Sequence, residues 1–146
     1  MLEPLYFALG LVNSVALIVI FVVRGRRLDL VERYGWLYLL LAIPAIYGIV
    51  LVGREGASAQ YAIFLAIYLA FLAIEGLYDW ILKIPFRETM DWRVLGPYVA
   101  LYVSSNYGFV VMVWKQSMPG GLLMLALVAA QLIANALTHP RGHADE

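Results

Sequence analysis

Apolar residues occupy most of this chain in five long blocks, separated by short stretches that gather charge, glycine and proline. The blocks are residues 4–23, 35–52, 59–82, 97–114 and 120–137, joined by connectors 24–34, 53–58, 83–96 and 115–119. A bilayer core about 30 Å thick takes about 20 apolar residues in a helix to cross. A helix also satisfies its backbone polar groups within one segment, which lipid cannot do for it. The pattern therefore predicts an all-α, polytopic membrane bundle of five transmembrane helices. It forms one domain over 1–138, with a flexible tail over 139–146. The first block has Glu3 where a signal peptide has a basic start, and Arg24-Gly25-Arg26-Arg27 where one has a small-residue cleavage site. It is read as a retained helix.

Basic residues give an orientation, because short cytoplasmic loops collect Lys and Arg. Arg24, Arg26, Arg27 and Arg33 fall in the first connector, Lys83, Arg87 and Arg93 in the third, and Arg141 in the tail. Only Arg54 and Lys115 fall on the other side. The N-terminus is thus expected outside and the C-terminus in the cytoplasm, with the plasma (cytoplasmic) membrane as the location. Trp36, Trp80, Trp92 and Trp114 sit near span ends, where amphipathic rings favour the headgroup layer. The second and fourth connectors are short enough to make hairpins, pairing the second span with the third and the fourth with the fifth. The third connector mixes charged, aromatic and apolar residues and is expected along the interface. Pro97 suits the first turn of the fourth helix.

Composition agrees with this solvent. The chain is 64% hydrophobic and 14% charged with a mean hydropathy of +0.83, against roughly 45–50% and about 25% for soluble domains. Its 146 residues leave no room for a separate soluble domain beside five spans. Without cysteine there is no disulfide, thiolate metal site or cysteine nucleophile. Zero net charge suggests no nucleic-acid partner. His139 and His143 lie in the tail beside Pro140 and Gly142, so neither a metal site nor haem ligation within the bundle is expected. No phosphate-binding glycine loop, nucleophile elbow or zinc-protease helix is present, and no cofactor is expected. Four arginines against Asp29 and Glu32 in the first connector suit anionic headgroups, although setting topology explains the same residues.

Candidate chemistry lies in polar residues inside the spans. On the third span, Tyr61, Tyr68, Glu75 and Asp79 share one narrow stripe, since residues step about 100° around a helix. Glu75 is expected roughly 7 Å deeper than Trp80, and Asp79 at the interface. A carboxylate in low dielectric binds protons more tightly and marks function by default. The structural alternative pairs Asp79 with Lys83 four residues on, and Glu75 with Arg87 or Arg93. A second stripe, Ala62, Ala66, Ala70, Ala73 and Gly76, permits close helix approach. The third span is therefore expected to be central, with protein on two faces. On the fourth span Tyr98, Tyr102 and Asn106 recur at four-residue steps, beside Ser104, Ser105 and Tyr107. Asn106 could coordinate a substrate or cation, but a contact with another helix is favoured. Gln131 and Asn135 on the fifth span, with Asn13 and Ser14 on the first, suggest a polar interior or an oligomer seam. Pro44 removes a backbone donor in mid-span, and an ordinary kink is expected.

These residues support a proton- or cation-linked transport or channel-type subunit acting as a homo-oligomer or with a membrane partner subunit. Its candidate site is Glu75, Asp79, Asn106, Tyr68 and Tyr102. One rival is an intramembrane enzyme on a lipid or isoprenoid, with Glu75 and Asp79 as acid and base. The other is a noncatalytic scaffold or accessory subunit.

Overall fold

A computed structural model describes residues 1–83 and 91–138. All its elements there are helical. The first span is α1 (Leu2–Arg26). A short helix α2 (Leu28–Tyr34), a 3₁₀ stretch (Gly35–Leu41) and α3 (Ala42–Glu55) follow and make the second. The third span is α4 (Ala59–Gly76), which ends in a π turn (Leu77–Ile81), and α5 (Trp92–Gln116) and α6 (Met118–Thr138) complete the bundle. Five stretches are long and apolar enough to cross a membrane, as the sequence predicts. The interfacial connector and flexible tail expected from sequence fall largely on residues 84–90 and 139–146, outside the described residues.

Both predicted hairpins form. α3 ends at Gly56, whose φ of +61° is left-handed and suits glycine. Ser58 then caps α4, its hydroxyl accepting the Gln60 N–H at 3.3 Å. α5 turns into α6 through Ser117, whose hydroxyl accepts the Gly120 N–H at 3.3 Å. At the same end of the bundle, Lys115 Nζ donates to Gln60 Oε1 at 2.5 Å and Gln116 Nε2 donates to the Tyr61 hydroxyl at 3.0 Å. The two hairpins are thereby tied together.

Two elements differ from expectation for identifiable reasons. α5 begins at Trp92 because Asp91 caps it, accepting the Arg93 N–H at 3.0 Å. Pro97 is consequently inside the helix rather than in its first turn. In the second span, a 3₁₀ stretch precedes the α-helix that contains Pro44. Pro44 has no N–H to give the carbonyl four residues back, and the chain ahead of it winds as 3₁₀ helix, where each carbonyl is taken by the N–H three residues on. The Ala42 N–H is directed at both the Leu39 and the Leu40 carbonyls, so the carbonyl that Pro44 leaves without its usual donor is not stranded.

α1 and the third span share the interior of the bundle, and the third span packs between the second and the fourth as expected from sequence. Leu2, Tyr6, Leu9, Gly10, Asn13, Ser14, Leu17 and Phe21 recur at helical spacing and are all buried. Tyr6 packs edge-on against Tyr61 of α4 and tilted against Phe109 of α5, with ring centroids 5.0 and 5.2 Å apart. A Cβ at Gly10 would stand 2.8 Å from Met124 of α6, and one at Gly25 would stand 2.7 Å from Thr138. α1 and α6 therefore run parallel in close contact. The third span turns Tyr61, Leu65, Tyr68, Phe71, Leu72 and Glu75 inward, while Ala66, Ala70 and Ala73 are exposed on the outside of the bundle. Large aromatic and aliphatic side chains gain most from packing, and the middle of the small-residue stripe is left facing out, while Ala62 and Gly76 at its ends are partly buried.

The α5–α6 hairpin is the tightest backbone approach open to test. A Cβ at Gly121 would lie 2.7 Å from the Trp114 Cα, which no side-chain rotation relieves. Gly121→Ala is expected to lower stability by about 1–3 kcal/mol in reversible detergent unfolding followed by circular dichroism. Gly53→Ala has open space around it and should be neutral or stabilising by up to about 1 kcal/mol.

Candidate functional site

The buried polar side chains are organised around amide groups. Asn13 on α1 points into the bundle, and its Oδ1 accepts hydrogen bonds from the Tyr38 hydroxyl at 2.5 Å and the Tyr68 hydroxyl at 3.0 Å. An amide oxygen has two acceptor sites, so this one is fully used. The three residues come from α1, the 3₁₀ stretch and α4, and all are buried. In a bilayer none of these groups has water as an alternative partner, which makes their mutual satisfaction a condition of folding.

Glu75 follows Tyr68 by two helical turns on α4, about 10 Å along the axis. It is 6% exposed. Tyr68, Glu75 and Tyr98 all lie within electrostatic reach of the Tyr38 phenol. Asn13, Tyr38 and Tyr68 thus form one buried polar cluster drawn from three spans, with the buried Glu75 and Tyr98 in its electrostatic surroundings. Beside it, toward the end of the bundle, Asp79 in the π turn lies 4.0 Å from Arg24 of α1, with both side chains about one-fifth exposed. The expected spacing to Lys83 is not kept. The helix widens into a π turn at Leu77–Ile81, and Lys83 has a φ of +50° beyond the helix end.

The two irregular stretches meet at this site. A Cβ at Gly35 would lie 3.0 Å from the Trp80 ring, and one at Gly76 would lie 3.2 Å from Leu39. The 3₁₀ segment of the second span therefore packs against the π turn of the third, with Tyr38 and Glu75 alongside. Departures from α geometry of both kinds recur where helices carry function.

A second network lies between α5 and α6. The Tyr102 hydroxyl donates to Gln131 Oε1 at 2.8 Å, Gln131 Nε2 donates to Asn106 Oδ1 at 3.3 Å, and Asn106 Nδ2 donates to the Tyr102 carbonyl at 3.0 Å. Asn106 thus makes the helix contact favoured from sequence. Phe71 stacks against both Tyr98 and Tyr102, with centroids 5.4 and 5.8 Å away.

The five sequence-predicted residues are therefore divided. Tyr68 belongs to the Asn13 cluster, Glu75 lies in its surroundings, Asp79 borders it through Arg24, and Tyr102 and Asn106 belong with Gln131. Asn13, Ser14 and Gln131 are interior, whereas Asn135 is exposed. Arg87, offered as a partner for Glu75, lies outside the described residues, and Arg93 is an exposed residue at the start of α5. Tyr38 and Arg24 escaped the sequence reading. Tyr38 is the sole hydroxyl in the run Leu37 to Leu41, and Pro44 six residues on was the available sign that this turn is irregular.

Neither of two hollows bordered by described residues is a polar chamber. One, between Leu2, Leu5, Tyr6, Leu9, Pro44, Gly48 and Leu65, has no room for a water molecule. The other is an open apolar groove of 330 Å³ along Leu11, Val12, Val15 and Ala16. Among the described residues no group of three or more His, Asp or Glu converges as a metal site. Comparison with protein-family models, curated proteins and solved structures finds no match.

Asn13→Leu removes the shared acceptor of two buried phenols. At about 0.6–2 kcal/mol per intramembrane hydrogen bond, the variant should lose about 1–4 kcal/mol in detergent unfolding. Combining it with Tyr68→Phe should cost less than the sum of the single changes, and strict additivity would show that the two side chains are not coupled.

Proposed function

We propose that this chain is a proton-linked membrane transport subunit in which Glu75 takes up and releases the proton. The observation that supports the reading most directly is the burial of Glu75 at the level where the 3₁₀ stretch meets the π turn. Protonation neutralises a carboxylate that low dielectric penalises, so the two charge states of Glu75 favour different surroundings. The flanking turns offer a matching movement. A π turn holds about one residue more than an α turn, and relaxing it would swing Asp79 and Trp80 by about 100° relative to Glu75.

A proton fits the cluster better than a metal or alkali cation. Hard cations call for several converging oxygen ligands, and the Asn13 oxygen is already taken by two phenols. In this reading the basic connectors face the cytoplasm, the N-terminus lies outside, and Glu75 is in the cytoplasmic third of the plasma membrane. Assembly, as a homo-oligomer or with a partner subunit, would not place Asn13, Asn106 and Gln131 along a shared path, because all three are buried within one chain. The exposed face of Ala66, Ala70 and Ala73 suits helix contact between subunits.

A noncatalytic accessory subunit is the second reading. The Asn106–Gln131–Tyr102 network favours it, since it joins α5 to α6 and returns to a backbone carbonyl of α5. The lipid-enzyme reading lacks such support, because both hollows lie away from Glu75 and Asp79. Proton flux into liposomes containing wild-type protein or Glu75→Gln decides between the first two. Flux in wild type that is lost in the variant supports the proposal. Equal flux removes Glu75 from the mechanism, and no flux from either favours the accessory role.

A further inference from the structure

The first turns of the second span, with the end of α1 before them, form a surface that the proton-linked reading does not use. α2 is only seven residues long and none of them is buried. Around its axis Leu28, Leu30, Val31 and Tyr34 fall on one side, and Asp29, Glu32 and Arg33 on the other. Leu28 is 52% exposed and Tyr34 50%, and Trp36 and Leu37 just beyond them are also exposed. An apolar face so open, on the first turns of the second span, fits a segment at the level where headgroups meet the acyl layer. The packing of Trp80 over Gly35 holds the end of this segment against the third span.

The charges at this end are partly matched. Arg27 Nε and Nη2 each reach an Asp29 carboxylate oxygen at 3.3 Å, and Arg24 lies against Asp79. Arg26 ends α1 with its side chain exposed, and the Arg33 guanidinium sits 5.4 Å from the centroid of the Tyr34 ring. Guanidinium groups bind phosphate oxygens in fixed fork geometry. We propose that α2 and its flanks form a binding surface for anionic phospholipid, with Arg26 and Arg33 taking headgroup phosphates while Leu28, Leu30 and Tyr34 enter the acyl layer. Charge complementarity selects anionic over zwitterionic lipid, because a phosphatidylcholine headgroup carries its own cation beside the phosphate. The surface is independent of Glu75 and holds whether or not the chain moves protons.

The test uses the full chain in detergent micelles doped with equal amounts of phosphatidylglycerol and phosphatidylcholine, with retained lipid counted by native mass spectrometry. Wild type should retain phosphatidylglycerol preferentially. Arg26→Gln with Arg33→Gln should reduce that preference by about fivefold for each arginine. Arg26→Lys with Arg33→Lys should keep most of it, and Arg54→Gln at the opposite end of the bundle should leave it unchanged. Helix content by circular dichroism confirms that each variant is folded before it is compared. Equal retention of the two lipids by wild type overturns the proposal. So does a preference that survives the double Gln variant or falls equally with Arg54→Gln.

Discussion

A polar atom inside a bilayer has no solvent to fall back on, and this bundle is arranged around that fact. The Asn13 oxygen accepts from two phenols on two other spans, so α1 can neither slide nor rotate without stranding them. Gln131 of α6 accepts from the Tyr102 hydroxyl and donates to Asn106 Oδ1, both on α5. In lipid, apolar side chains give little net drive for helices to associate, and van der Waals packing with hydrogen bonds must do it instead. The glycines at 10, 25, 48 and 121 serve the packing, each admitting a neighbour closer than a Cβ would tolerate.

The route from sequence to candidate site runs through the backbone. Pro44 withholds a donor, and the preceding turn winds as 3₁₀ helix. In that stretch Tyr38 is buried and bonded to Asn13, with Glu75 within electrostatic reach. Gly35 and Gly76 let the second and third spans approach at this level, and the third span answers with a π turn that sets Asp79 near Arg24. A buried acid, two departures from α geometry and a partly buried ion pair thus share one end of the bundle. Coincidence of that kind is what gives Glu75 its claim over the other polar residues of the spans.

The five spans were legible because bilayer thickness imposes a length that apolar blocks cannot disguise. The inward stripe of Tyr61, Tyr68 and Glu75 was legible from helical periodicity. Which residue each would meet was not, since a partner on another span leaves no mark in local spacing. Tyr38 therefore went unnoticed although Asn13 was picked out as polar. The assignment of Asp79 to Lys83 failed because it presumed unbroken α geometry. The third span is central as its alanines suggested, but it turns its large side chains inward, because small residues permit close approach without determining which side of a helix faces the core. α2 was hidden for a related reason, as seven residues give too short a window for periodicity to stand out within a charged connector.

The central claim is that position 75 is sealed from bulk water within the folded bundle. The chain contains no cysteine, so Glu75→Cys and Lys83→Cys each carry a single thiol that a membrane-impermeant maleimide can find. The claim predicts that, in proteoliposomes leaky enough to expose both faces, the thiol at 83 is labelled readily while that at 75 reacts far more slowly until the protein is unfolded. Equal labelling of the two folded variants would contradict it.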